Sequence, residues 1–397
     1  MSVIEVQQDR KRSPFYLRQA EIDRLNRWHE WKGYLSADGF YDTALEYFAT
    51  RNSTGVFDLS PMTKYRISGP DSLDFVDRLV TRNMRKIRPG RVAYVVWCDD
   101  EGQVIDDGTI FHLREGEYRI CSQERHMSWF SAAAIGLDVS IVDETHDVCA
   151  LAVQGPTSFS VLQAMGLDGI ESLKPFGLDT FDLQGGELMV SRTGFTGDLG
   201  YELWTTPDRA IDLWDALFEA GKLHGIRAMG TDALDRARIE AGFIQAHVDF
   251  LPADVTVRSG RSRSPLELGL EWLVDFDKAN FNGRRALAAE KQRGSTWRLV
   301  KLDIEGNKEA HHSYIYAKRS GGKEIGFVTS AVWSPVCKQN IAIGTVCTPH
   351  GEVGEKLFVE VYYQREMHWS RMMAEATVVD KPFWDPPRKR ATPPGLY

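Results

Sequence analysis

The pattern that most restricts the fold of this chain is a change of periodicity at Gly283-Arg284-Arg285. Before it, a strand, a helix and a pair of strands follow one another twice. Val56-Phe57-Asp58-Leu59 and Lys64-Tyr65-Arg66-Ile67 alternate as strands, and a helix then carries Leu73, Phe75, Val76 and Leu79. Strands are expected over Arg91 to Cys98 and Gly108 to Leu113, with a turn at Asp99 to Gly102 between them. From Asp147 the order recurs: a strand from Ala150 to Val153, a helix opened by Gly155-Pro156-Thr157, strands at Leu188 to Ser191 and Tyr201 to Trp204, and a helix over Ala210 to Leu223. After Arg285 helical patterning fades, and Leu299 to Asp303, Glu324 to Thr329, Ile341 to Val346 and Leu357 to Val361 read as short strands. Non-local pairing of this kind predicts α+β units on antiparallel sheets, followed by a separate all-β unit.

A chain of 397 residues exceeds what one hydrophobic core serves, which agrees with several units. The expected division is an aromatic arm over 1–50, a first α+β domain over 51–146 plus roughly 240–290, a second, ferredoxin-like one over 147–239, and a β domain over 291–397. The arm, with Phe15, Tyr16, Trp28, Trp31, Tyr34 and Phe40, must pack on something, and it runs into a helix from Asp42 to Arg51. Ser68 and Asp71 have the spacing of a capping box ahead of the next helix.

Net charge is -8, and basic residues are scattered apart from Arg258, Arg261 and Arg263 and the group Arg388-Lys389-Arg390. Nucleic acid is therefore not expected as a partner, and both basic groups read as solvated segments. Five cysteines, odd in number and without a CxxC pair, speak against a disulfide framework or a thiolate metal site. A reducing cytoplasm suits them. No apolar stretch has the length of a membrane span or of a secretion signal, so neither export nor a membrane partner is expected.

One segment carries chemistry. From Arg192 to Leu203, Gly194, Gly197 and Gly200 separate an arginine from Glu202, and Tyr201-Glu202-Leu203-Trp204 reads as the strand after the turn. Glycines allow positive φ and let a ligand approach the backbone. A carboxylate held there accepts a pair of hydrogen bonds from a flat heterocycle with adjacent ring NH and NH₂ donors. An ordinary Gly-rich hairpin is the alternative reading.

Six segments, in order, resemble the folate-dependent aminomethyltransferase (glycine-cleavage T-protein) superfamily over nearly the whole chain. They are Gly55 to Met62, Gly102 to Asp107, Val153 to Pro156, Arg192 to Glu202, Arg238 to Gly242, and Phe281 to Arg284 with Ile325 to Ser330. The resemblance implies a three-domain cloverleaf, with a barrel-like C-terminal domain, around a central channel for tetrahydrofolate. It further implies that Glu202 is the pteridine-binding carboxylate and Asp107 the carboxylate beside the folate nitrogens. Tyr94 and Arg238 resemble residues lining the folate site, and Phe195 and Gln123 are looser candidates of the same kind.

Departures bear on the substrate. The glycine-cleavage pattern has histidine where Pro61 stands, an arginine at Leu234, and a tyrosine-glycine pair at Ala246-His247. The chain is more similar to the branch that demethylates small molecules, passing a methyl group to N5 of tetrahydrofolate. An ether leaves as an alkoxide or phenoxide and benefits from a general acid, whereas a sulfonium needs none. The expected activity is therefore demethylation of a small, aromatic methyl ether, with His247 or Tyr94 as acid and Asp107 as the orienting carboxylate. A sulfonium or N-methyl donor, an aminomethyltransferase of glycine-cleavage type, and a non-enzymatic folate-binding assembly factor are the alternatives.

Overall fold

The computed structural model describes residues 10–258 and 260–395; the N-terminal nine residues and Ser259 of the basic loop, both part of the sequence reading, lie outside the described residues. The chain opens with α1 (Tyr16–Ile22), β1 (Arg27–Trp31), β2 (Tyr34–Gly39) and α2 (Thr43–Asn52). Next come β3 (Thr54–Asp58), β4 (Thr63–Ser68), α3 (Ser72–Leu79), β5 (Arg91–Cys98), β6 (Val104–Arg114), β7 (Glu117–Ser122), α4 (Met127–Ala133) and β8 (Ser140–Asp143). The second part holds β9 (Cys149–Gln154), α5 (Ser158–Ala164), β10 (Leu178–Leu183), β11 (Gly186–Ser191), β12 (Gly200–Thr205), α6 (Ala210–Gly221), β13 (Ile226–Ala228), α7 (Thr231–Glu240) and α8 (Arg284–Arg293). The chain closes with β14 (Trp297–Ile304), β15 (Tyr314–Tyr316), β16 (Glu324–Ser334), β17 (Gln339–Cys347), β18 (Lys356–Arg365) and β19 (His368–Val379).

These strands form the two α+β sheets and the β unit that the periodicity predicts. One sheet has the order β5-β6-β7-β4-β8, a second β10-β11-β12-β9-β3-β13, and the last six strands close into a barrel, β14-β17-β16-β15-β18-β19. The short β3 belongs to the second sheet, antiparallel to β9 and parallel to β13, not to the first domain in which its place in the chain had put it. Alternation marks a half-buried strand but does not say which sheet buries it.

Apolar faces decide the packing. The first sheet lays Tyr65, Trp97 and Ile110 against Phe75 and Phe130 of its helices. The second lays Leu151, Val153 and Leu203 against Leu213 and Trp214. The two sheets meet through Val92, Phe111 and Cys121 on one side and Ala150 and Trp204 on the other, with the Phe111 and Trp204 rings 5.0 Å apart. Val96 and Val104 join Val332, Ile341 and Ile343 of the barrel, so three bodies converge near β5 and β6.

Two local expectations fail for physical reasons. Asp42 caps α2 by accepting from the amides of Ala44 and Leu45, but the Ser68 and Asp71 pair forms no capping box. Asp71 spends its carboxylate on the amide of Asp138, 2.8 Å away, and Ser68 ends β4. The tail with Arg388-Lys389-Arg390 is not a solvated terminus either. Arg388 pairs at 2.7 Å with Asp198, whose side chain is fully buried, and the Trp384 indole donates to the same carboxylate at 2.9 Å. In the other basic loop Arg263 is buried, its guanidinium 4.4 Å from the centre of the Trp297 ring. No helix among the described residues is long and apolar enough to cross a membrane.

Candidate functional site

Tyr94 and Asp107 are brought together by strand register. Asp107 of β6 lies opposite Val96 of β5, and Tyr94, two residues before Val96, shares its face. The Tyr94 hydroxyl donates to Asp107 Oδ2 at 2.7 Å. Burial, then the charge of neighbouring Asp106, pushes the Asp107 carboxyl up to about 7 from an ordinary 3.8, against the lowering effect of the tyrosine bond. Burial, then the Asp107 charge, holds the Tyr94 phenol well above its usual range. A carboxyl balanced near neutrality gives or takes a proton at working pH.

Glu202 stands on β12 opposite Ser191 of β11. Thr193, two residues beyond Ser191, donates to Glu202 Oε2 at 2.6 Å, and Ser191 donates to the same oxygen at 3.2 Å. Oε1 accepts no hydrogen bond among the described residues. Burial raises the Glu202 carboxyl, and the two hydroxyls pull the other way. The result is a carboxylate with one oxygen fixed and one offered, as a ligand with paired donors requires.

Gly194 and Gly200 do a different job from the one their pattern suggests, whereas Gly197 takes the positive φ expected of it. A Cβ at Gly194 would lie 2.0 Å from Gln154 Oε1, and one at Gly200 would lie 2.3 Å from it. Their bareness makes room for Gln154, whose amide donates to the carbonyls of Thr193 and Tyr201 at 3.1 Å each and whose oxygen accepts from Thr196. Gly197, at φ +76°, packs where a Cβ would meet that of Ala241 at 2.5 Å. The turn is thus tied by the third sequence segment, and Glu202 rides on a braced strand.

The remaining candidates are spread around this pair. Phe195 stacks on Phe243, ring centres 5.5 Å apart, which ties the Gly-rich turn to the loop after α7. Gln123 is half-buried in the β7–α4 loop and makes no side-chain hydrogen bond among the described residues. Arg238 is buried and committed: Nε pairs with Asp235, Nη1 with Asp249 and the Phe243 carbonyl, and Nη2 with the Ser330 hydroxyl. In place of a free edge on the site, it clamps the loop after α7 to the barrel. His247, at φ +65°, is 41% exposed and sits 3.5 Å from Glu124, not on Tyr94 or Asp107.

Sequence reasoning missed Arg82 and Trp272. The Trp272 ring lies 6.1 Å from that of Tyr94, and the half-buried Arg82 guanidinium lies 6.0 Å from Trp272 while donating to the Tyr94 carbonyl. No carboxylate among the described residues pairs with Arg82, and burial lowers its pKa. Neither residue falls in a recurrent spacing. Asp249 was also missed: it gathers Arg238, Thr329 and Ser330 and adds its charge to the shift at Asp107.

Residues 17–278 match the model of the GCVT N-terminal domain, and residues 298–385 that of the glycine cleavage T-protein C-terminal barrel domain. An aminomethyltransferase of Halothermothrix orenii is 33% identical over 88% of this chain and 96% of its own length. A trimethylamine-oxide aldolase of Ruegeria pomeroyi is 37% identical over 87% of this chain, which spans only 43% of that longer protein. In fold, the chain superposes on glycine cleavage system aminomethyltransferase T from Bartonella henselae with a TM-score of 0.81, at 22% identity, covering 95% of this chain and 98% of that one.

Proposed function

Because this chain belongs to the glycine cleavage T-protein family of tetrahydrofolate-using transferases, we propose that it is an aminomethyltransferase-type enzyme, moving a one-carbon unit from a carbon–nitrogen donor to tetrahydrofolate. The observation that carries this reading is the Tyr94–Asp107 couple, with its carboxyl near 7. Cleaving carbon from nitrogen releases an amine, which leaves after it gains a proton, and the accepting nitrogen must lose one. A carboxyl poised at neutrality serves both transfers. The names of the two relatives, aminomethyltransferase and trimethylamine-oxide aldolase, both concern carbon bound to nitrogen, which supports this donor class over a methyl ether.

The residues present fit the folate. Glu202 offers a braced carboxylate to the paired donors of a pterin, and the open Arg82 and Trp272 edge beside Tyr94 suits an anionic, aromatic tail. When bound, tetrahydrofolate supplies the nucleophilic nitrogens that accept the carbon. Glu202 holds and orients, Tyr94 fixes the Asp107 carboxyl in direction, and Asp107 holds or moves the proton. His247, set on Glu124 and largely open to solvent, gives an ether-cleaving acid little support.

The test is to supply the protein with tetrahydrofolate and, in separate arms, an aminomethylated dihydrolipoyl carrier, N-methylated amino acids, sulfoniums and methoxybenzoates, and to separate the folate products. Formation of 5,10-methylenetetrahydrofolate from the aminomethylated carrier, whose carbon is already at the methylene oxidation level, is expected, and any transfer from an N-methylated amino acid, being redox-neutral, ends at 5-methyltetrahydrofolate. Formation of 5-methyltetrahydrofolate from a methoxybenzoate alone overturns the proposal in favour of ether demethylation.

A further inference from the structure

Behind Asp107, across the first sheet, lies an acid–base cluster that the proposed function does not use. Successive strand residues point to opposite faces, so Asp106 turns away from Asp107 and into the core, where it is fully buried. It accepts from three N–H groups: His126 Nε2 at 2.8 Å, the Asp107 amide at 2.9 Å and the Glu124 amide at 3.3 Å. His126 is held in turn. Its amide donates to the Tyr65 hydroxyl at 3.0 Å, and its ring stands edge-on to Trp97 at 5.3 Å. Nδ1 is buried without a hydrogen bond among the described residues, 4.0 Å from Asp254 Oδ2. From side chains of the described residues Asp107 receives a single donor, the Tyr94 hydroxyl.

We propose that His126 is a positioning residue which, by donating to Asp106, sets the protonation state of Asp107 through the sheet. Donors to a carboxylate favour its charged form. The three on Asp106 fix it in place behind Asp107, and its charge is the second cause, after burial, of the raised Asp107 carboxyl. Without the imidazole donor, Asp106 loses the bond that fixes it there, its charge bears less on Asp107, and Asp107 ionises more readily. The other charged and titratable groups facing the pair are Tyr94 and Asp249 around Asp107, and Tyr65, Asp254 and Glu124 with its partners Lys32 and His247 around His126. The chemical interest of this control rests on Asp107 belonging to the site, but the control itself is read without turnover.

The experiment measures proton uptake against pH as the difference between a protein and its D107N counterpart, which reads the proton site that Asp107 adds, its coupling to Asp106 included. It is run in wild type, H126F, H126L and H126Q. Phenylalanine keeps the packing on Trp97 and donates nothing; glutamine carries an N–H near the position of Nε2. The Asp107 midpoint is expected to fall by about one pH unit in H126F and H126L and to stay in H126Q. An unmoved midpoint in H126F and H126L overturns the proposal. A rise in all three variants also overturns it, since the ring would then act as a cation and not as a donor. Should neither donor-free variant fold, D106N must lower the midpoint by the same reasoning, and its failure to do so refutes the coupling.

Discussion

At pH 8 the variant D107N is expected to be more stable than the parent protein, and at pH 4 the two are expected to be alike. Burial, with the charge of Asp106 behind it, pushes the Asp107 carboxyl from 3.8 to about 7. A carboxyl raised in this way keeps its proton in the folded state at pH values where the unfolded chain has lost it. Stability therefore falls as pH rises through the interval from about 4 to 7 and stays low above it. About three pH units at roughly 1.4 kcal/mol each set an upper bound of about 4 kcal/mol. Coupling to Asp106 and partial exposure reduce the expected gain to about 1–3 kcal/mol. Asparagine cannot ionise and still offers an oxygen to the Tyr94 hydroxyl. Thermal melts at pH 4, 6 and 8 read the effect as a gap of a few degrees that opens with pH. A gap independent of pH, or a D107N protein that melts below the parent at pH 8, refutes the reasoning. The same substitution is expected to lower turnover at least about 100-fold, since a group held against its own ionisation is retained for chemistry at a cost in stability.

The variant E202A is expected to weaken tetrahydrofolate binding at least about tenfold in a fluorescence titration, because a hydrogen bond to a charged acceptor contributes about 1.5–3 kcal/mol; an unchanged affinity removes Glu202 from the cofactor site. R388A leaves the buried Asp198 with the Trp384 indole, the Leu199 amide and a more distant Arg51 at 3.9 Å, and is expected to cost about 1–3 kcal/mol in unfolding free energy. Melting identical to wild type would show that the docked tail does not hold the second sheet.

Much of the fold was legible because its elements advertise themselves locally. The alternation along β5 and β6 and the apolar spacing of α3 and α6 follow from which side chains must leave water, whereas the fading of helical pattern after Arg285 passed over α8, which buries only Leu287 and Glu290. What stayed hidden was non-local. β15, with three residues, and β19, which begins with the exposed His368 and Trp369, carry too little apolar signal to be recognised alone, yet the barrel cannot close without them. The docking of Arg388 on Asp198 spans 190 residues, and no spacing rule reaches that far.

The site divides in the same way. Residue types could be read along the chain: an acidic pair at the start of β6, a glutamate after a Gly-rich turn, and a tyrosine on the preceding strand, together enough to mark a folate-dependent transferase by resemblance. Their states were set by packing. Register placed the Tyr94 hydroxyl on Asp107, the sheet's alternation sent Asp106 to His126 on the far face, and Gln154 filled the space that the glycines leave. Arg238 was turned from a site residue into a clamp by Asp249 and the barrel. The physical reason is that chain chemistry is local, whereas desolvation and the field of neighbouring charges, which together bring one carboxyl to neutrality, arise only when distant segments pack against it.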